Sequence, residues 1–361
     1  LLTAPDDLAP DRLFAGFESL SGLLIAVSGG PDSLALMRLA LRWRDAGSGV
    51  ALHAATVDHG LRPGSGAEAA QVGRWARGLG LDHAILPWRG EKPATGVQEK
   101  ARAARYALLF DHARFVGAEA VAVAHHADDQ WETVLIRLAR GSGISGLSGM
   151  ARDQRLNQSL NQSLGAGRLI RPLLGLRKQA LIDFCRREGQ DFFDDPANSS
   201  AFFARARWRA VAPALHGLGL TPDRAATFAE RARKADEAIE WAARELLSRA
   251  GTAEPQVSEP HIYDLRRIDG APPAVFERFL GLALARVAGA PPSRLERLEA
   301  LAKDLQAARR NGESLRATLG GCAARLGASG VLALRREKQR RRGSVAAGES
   351  VAGESRGPSP D

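Results

Sequence analysis

The chain has 361 residues, 45% of them hydrophobic and 25% charged, the proportions of a globular protein long enough for two or three domains at roughly 100–200 residues each. Its two cysteines, Cys185 and Cys322, stand too far apart for a Cys-x-x-Cys metal site or a disulfide framework, and no apolar run of roughly 18 residues occurs, so such a metal centre, a membrane span and whole-chain disorder are excluded and a reducing, cytoplasmic setting is expected. The net charge of +9 comes from 50 basic against 41 acidic residues, nearly all arginine, a bias that fits both GC-rich coding and a polyanionic partner gripped by guanidinium forks.

In chain order, the opening residues (Asp6, Asp7, Asp11) lack the basic-then-apolar order of a secretory leader, so export is not expected, and Leu1 in place of Met implies a missing initiator or an unusual start codon. Residues 23–27 read as a strand, Ser28-Gly29-Gly30-Pro31-Asp32-Ser33 as a tight loop, and 34–41 as a helix. Strands at 51–57, 83–86 and 120–124 alternate with helices at 68–79, 97–116 and 128–140. That alternation predicts βαβ crossovers and an α/β fold built on a doubly wound parallel sheet. Residues 141–167 read as a Gly-, Ser- and Asn-rich loop whose tandem Leu-Asn-Gln-Ser at 156–163 has the look of a tolerated surface insertion.

A last strand at 169–174 and a helix at 177–188 follow, and beyond Pro213 the pattern is mainly helical, at 222–250, 274–287 and 293–308. Stretches at 315–319, 323–326 and 331–334, punctuated by glycines, predict a small antiparallel β element. The expected organisation is a catalytic domain over 1–215, a smaller, mainly helical C-terminal domain over 216–337, and a tail over 338–361 that is basic, then low in complexity, and disordered. The basic run at 335–342 is expected to add nucleic-acid affinity without base readout, or else to serve as a solubilising tail.

Three segments carry chemistry. The loop at 28–33 lies where a strand hands over to a helix N-terminus, where backbone N–H groups and the helix dipole favour phosphate; it lacks the Lys-Ser/Thr ending of a P-loop and the G-x-G-x-x-G of a dinucleotide fold. Asp58-His59-Gly60-Leu61-Arg62 closes the next strand, where open α/β sheets place ligand loops; Asp58 there faces a ribose or an amine, or is a turn residue. In His125-His126-Ala127-Asp128-Asp129-Gln130-Trp131-Glu132-Thr133, helical spacing brings three carboxylates together at a helix start beside paired histidines, more than capping alone requires.

Ser-Gly-Gly-Pro-Asp-Ser resembles the PP-loop of the N-type ATP pyrophosphatases, with a Rossmann-like fold. Val57-Asp-His-Gly-Leu-Arg62, the His125–Thr133 segment and Arg140-Gly-Ser-Gly-Ile-Ser-Gly-Leu-Ser-Gly-Met150 are similar to the tRNA(Ile)-lysidine synthase branch of that superfamily. Glu99-Lys-Ala-Arg102-Ala-Ala-Arg105-Tyr106, Asp195-Pro-Ala-Asn198 with Arg205, Arg207 and Arg209, and Leu319-Gly-Gly-Cys322 with Arg335-Arg336-Glu337 support the resemblance, which covers about residues 20–337. Departures are the Asn-Gln-Ser duplication, Ala197 where Ser is usual, and the lack of the further C-terminal domain of longer members.

The resemblance implies that ATP adenylates the wobble cytidine of tRNA(Ile) with a CAU anticodon, releasing pyrophosphate, and that free L-lysine displaces AMP to give lysidine. It implies ATP contacts at Ser28, Gly29, Gly30, Pro31, Asp32, Ser33, Asp58, His59, Arg102, Arg105 and His125, and tRNA contacts at Arg205, Arg207 and Arg209. Asp32, Asp129 and Glu132 are the expected catalytic carboxylates, and Asp32 and Asp128 the expected Mg²⁺ contacts. A homodimer is compatible with this reading. Alternatives are another PP-loop tRNA-modifying enzyme, such as a cytidine thiolase, and an inactive RNA-binding relative.

Overall fold

The computed structural model describes residues 8–61, 63–90, 95–156, 167–193, 204–251, 260–290, 292 and 294–337. A one-turn helix α1 (Pro10–Leu13) precedes β1 (Gly22–Ala26), α2 (Pro31–Trp43), β2 (Ala51–Asp58), α3 (Ser65–Gly78), β3 (His83–Pro87), α4 (Val97–Phe115), β4 (Ala120–Ala122) and α5 (Ala127–Ala139). Then come α6 (Ile144–Leu147), β5 (Asp153–Leu156), β6 (Gly167–Ile170) and α7 (Lys178–Arg187). The order across the sheet is β3-β2-β1-β4-β6-β5, parallel except for the β5 edge. The expected α/β fold on a parallel sheet is therefore present, and the strand order reverses direction between β1 and β4. At such a switch point the crossover helices leave to opposite faces and open a crevice at the strand ends.

Successive side chains of a strand point to opposite faces, so an apolar run with both faces covered is what a central parallel strand requires. On and just beyond β1, Leu23, Ile25 and Val27 join the core that includes α2 and α7, whereas Leu24 joins Tyr106, Leu109 and Phe110 of α4 on the other face. Helix α2 is buried nearly all round, with Leu34, Leu36, Met37, Leu39 and Ala40 fully enclosed. This rigid block carries the strand-to-helix loop at 28–33.

Two expectations fail in detail. The stretch read as a loop at 141–167 contains α6 and the edge strand β5, whose polar Asp-Gln-Arg-Leu sequence hides it from a hydrophobicity pattern; Asp153 is held by the guanidinium of Arg168 across the pair at 3.0 and 2.8 Å. The strand expected at 169–174 starts two residues earlier and stops at Ile170, because Pro172 has no N–H to give a ladder and a turn follows. The tandem Asn-Gln-Ser repeat from 157 onward, Asp195–Asn198 and the tail from 338 lie outside the described residues.

The second half comprises α8 (Ala204–Gly217), α9 (Pro222–Ala250), β7 (His261–Asp264), α10 (Pro273–Ala288), α11 (Leu295–Asn311), β8 (Leu315–Leu319), β9 (Cys322–Leu326) and β10 (Val331–Arg336). Pro213 falls inside α8 instead of ahead of the helical region. The β element is a four-stranded antiparallel sheet ordered β7-β10-β9-β8, one strand more than expected, because β7 pairs with a partner about 70 residues away and nothing local marks it. Its inner face closes a second core with α9, α10 and α11, centred on Phe279, Leu280, Leu305 and Leu332.

Truncating a fully enclosed α2 side chain removes contacts that the surrounding core cannot replace. Leu36→Ala is expected to cost about 2–5 kcal/mol, read as a lower urea midpoint.

Candidate active site

The loop between β1 and α2 is built by its serines. Ser33 Oγ accepts the Ser28 N–H at 3.0 Å, donates to Gly30 O at 3.0 Å and lies 3.2 Å from Ser28 Oγ, so the hydroxyl laces the loop closed on itself. Gly29 has φ +88°, and a Cβ there would come within 2.7 Å of the Phe193 ring and 2.9 Å of Val72, so a side chain is excluded twice over. Phe193 also donates its N–H to Gly29 O at 2.9 Å and packs its ring on Trp75 at 5.1 Å. Pro31 occupies the first turn of α2, whose leading N–H groups have no intrahelical acceptor and suit an anion.

Across the switch point, the segment after β4 carries His126 at the N-cap of α5. The ring is nearly buried, with Nε2 3.6 Å from Asp32 Oδ2 and 3.4 Å from Asp129 Oδ2, and Nδ1 3.5 Å from Asp128 Oδ2. Burial alone lowers a histidine pKa, but bonds to Asp128 and Asp32 and the fields of Asp129 and Asp32 raise this one to about 10. The ring is thus an imidazolium that donates through both nitrogens, and the approach of the Asp129 N–H to Nδ1 at 3.4 Å is a packing contact. The cap is closed from the other side, where Asp129 Oδ2 accepts the His126 N–H at 3.1 Å.

The three carboxylates of α5 take three different partners. Asp128 Oδ2 accepts the N–H of Lys178, the first residue of α7, at 2.8 Å, with Arg177 at 3.6 Å from Oδ1. Burial raises the Asp128 pKa, but His126, the Lys178 N–H and Arg177 outweigh it and bring the group down to about 2. Glu132 lies one turn further along, in the second turn of α5 and not the first, and there it accepts a forked pair from Arg209 of α8, at 2.5 and 3.4 Å. Burial lowers the Arg209 pKa, but the Glu132 bond and the fields of Glu132, Asp129 and Asp32 raise it overall.

Asp32 differs from these. Its Oδ2 faces His126 and, at 4.0 Å, the ammonium of Lys178, while its Oδ1 is buried without a hydrogen-bond partner among the described residues. An unsatisfied buried acceptor in a crevice calls for a cation or a donor from outside. No cluster of three or more metal-ligating side chains exists among the described residues, as suits Mg²⁺, which uses one or two carboxylates plus phosphate oxygens. Asp32 fits that part, whereas the oxygens of Asp128 are already committed to His126, Lys178 and Arg177.

The other expected residues lie around this centre. Asp58 Oδ1 accepts the Gly60 N–H at 3.0 Å and the Ser65 hydroxyl at 2.7 Å, which fixes the turn into α3, and His59 stands edge-on to Trp88. Arg102 and Arg105 stack over Tyr106 at 5.0 and 5.2 Å. His125 Nδ1 accepts from the buried Arg171 at 3.3 Å. Arg207 is exposed on α8; the side chain of Arg205 and all of Arg62 lie outside the described residues.

Several site-building residues carried no chemical signature in the sequence. Phe193, Lys178 and Arg171 reach the crevice from elements remote in sequence. Gln130 and Arg137 fold the Gly-rich stretch after α5 back onto it: the Gln130 amide bonds both the N–H and the carbonyl of Met150, and Arg137 donates to Gly146 O and Gly149 O at 2.8 Å each. The Gly-x-x-Gly spacing of that stretch was its one visible sign.

A family description, the PP-loop domain, matches residues 9–215. The tRNA(Ile)-lysidine synthase of Methylobacterium sp. (strain 4-46) is 47% identical over 324 residues, 89% of this chain and 90% of that protein. The chain belongs to the tRNA(Ile)-lysidine synthase family. The synthases of Methylobacterium nodulans, 46% identical over 89% of this chain and 92% of that one, and of Bradyrhizobium sp., 46% identical over 76% of each, place it there equally. Among solved structures, the U34-tRNA thiolase NcsA from Methanococcus maripaludis with its 4Fe-4S cluster has a TM-score of 0.50 at 16% identity, covering 62% of this chain and 76% of that one, a likeness of fold. ATP use follows from membership of the PP-loop family.

The His126 cage has a pH signature. Its pKa is raised above the ordinary 6.5 to about 10, so its stabilisation is complete below 6.5 and is lost as pH rises through about 10. Asp128, lowered to about 2 from 3.8, contributes above 3.8 and loses its share as pH falls through about 2. The urea-midpoint gap between the parent and His126→Gln is therefore expected to be widest between about pH 4 and 6.5 and to shrink toward pH 10. A gap that grows with pH contradicts the caged imidazolium.

Proposed function

We propose that the chain ligates free L-lysine to the 2-carbon of the wobble cytidine of tRNA(Ile) with a CAU anticodon, through an adenylated cytidine, with release of AMP and pyrophosphate. The observation that supports this most is the placement of the serine-laced anion loop and the carboxylate cluster on opposite sides of one crevice at the β1/β4 switch point. The Ser28–Ser33 loop would hold the departing pyrophosphate through N–H and hydroxyl donors. Mg²⁺, held by Asp32 and the phosphates, supplies charge neutralisation when bound.

A lysine ammonium, with a pKa of about 10.4 in water, attacks only after losing a proton. Asp129 and Glu132 are the carboxylates assigned to select it and take that proton. Glu132 reaches the ammonium by exchanging Arg209 for it, one cation for another. Arg209, half-exposed while Glu132 is buried, is the partner able to leave, and its guanidinium then serves a phosphate. The thiolase alternative loses support from the cysteines: an iron–sulfur cluster needs several thiolates, and Cys185 and Cys322 are buried in two separate cores. A cytoplasmic location and a soluble chain follow from the same reading; among the described residues no helix is long and apolar enough to cross a membrane.

The assignment is tested with α-labelled ATP, lysine and a tRNA(Ile) transcript: AMP, pyrophosphate and lysine-bearing RNA should form together and only with the CAU anticodon. Ser33→Ala should lower AMP formation by roughly 10²–10³ while the chain stays folded. Glu132→Gln should spare RNA-dependent pyrophosphate release in the absence of lysine and impair the lysine step. Complete loss of that release overturns the lysine role of Glu132.

A further inference from the structure

The outer face of the C-terminal sheet holds arginines that nothing in the described structure neutralises. The register places Arg316 of β8 directly opposite Arg325 of β9, and Arg335 of β10 lies one step along, opposite Ala323. All three side chains are exposed, and none has an acidic partner among the described residues. Like charges facing each other across an antiparallel pair are destabilising, so the sheet carries a cost there that folding alone does not explain.

Elsewhere in the same domain arginines are paired: Arg244 with Glu240, Arg266 and Arg267 with Asp264, Arg278 with Asp236 and Glu240, and Arg309 with Asp269. The three unpaired ones border an open groove of about 550 Å³ floored by Ala323, Ala333 and Thr318. Small floor residues let a bulky backbone approach the sheet closely. The one aromatic residue of these four strands, Tyr263, is buried in the opposite core, so the face is not a base-stacking platform.

Given the tRNA reading above, on which this rests, we propose that the Arg316–Arg325–Arg335 face docks the sugar-phosphate backbone of a double-helical stem of the substrate RNA. Exposed guanidinium groups without stacking or base-edge groups bind phosphates, fixing position and affinity while leaving base identity to other contacts. Strand β10 also runs directly into the Lys338, Arg340, Arg341 and Arg342 stretch of the sequence, which continues the positive charge from this face.

The test compares three full-length proteins for binding of the tRNA(Ile) transcript between roughly 50 and 200 mM salt. One is the parent. The second is R316Q/R325Q/R335Q. The third is R44Q/R186Q/R244Q, which loses the same net charge at arginines that already have acidic partners. The face variant should bind at least tenfold more weakly at low salt, with a log–log salt slope flatter by about 2–3, and the control should match the parent.

An isolated RNA stem without the CAU loop should compete for the parent and lose its competition against the face variant. Discrimination between CAU and other anticodons should not change, nor should the ATP KM. A salt slope equal to the parent's overturns the proposal and leaves the face to an acidic protein partner; an equal fall in the control assigns the effect to net charge and overturns it too. Failure of the parent to bind tRNA at all is a failure of the functional reading, a separate result.

Discussion

One buried cation organises the crevice. Helices α2, α5 and α7 all point their N-termini at it, and three positive dipole ends cannot converge without negative charge between them. Asp32, Asp128 and Asp129 provide that charge, and His126 sits among them as an imidazolium that keeps the carboxylates from repelling one another. Asp128 carries the link on to the first N–H of α7. The loop that faces phosphate, the carboxylate with an open oxygen and the helix that bears Glu132 are therefore positioned by one charge balance, not by three separate ones.

The second half of the chain is fastened to this centre at defined points. Trp131, beside Glu132, donates its indole N–H to Leu220 O at 2.6 Å, between α8 and α9. Arg278 of α10 binds Asp236 and Glu240 of α9 and reaches Ser145, in the Gly-rich segment that Gln130 and Arg137 hold against α5. A contact with RNA on the C-terminal domain thus has a short, packed route to the helix carrying the reactive carboxylates. Arg209 completes the connection by bringing α8 onto Glu132.

Much of this was legible because the sequence signals were local. The apolar run of β1, the glycines and serines after it and the helical spacing of α2 all obey short-range rules, and the motif residues stand where those rules end. The edge strand β5 was hidden by its polar sequence, and β7 by the distance to its partner. At the site, spacing brought Asp128, Asp129 and Glu132 to one helix start, but a helix turns by about 100° per residue, so each faces a different neighbour. Which neighbour, whether Lys178, His126 or Arg209, depends on elements up to 77 residues away and is set by the fold alone.

The most direct measurement is the protonation of the His126 ring, read from its two ¹⁵N shifts in selectively labelled protein across pH 6 to 10. A caged imidazolium predicts both nitrogens protonated at pH 8, with the change centred near 10, and in Asp32→Asn that midpoint moves down because one of its three carboxylates is gone. A ring that is neutral at pH 8, titrating near the ordinary value of about 6.5, contradicts the charge balance on which the crevice is built.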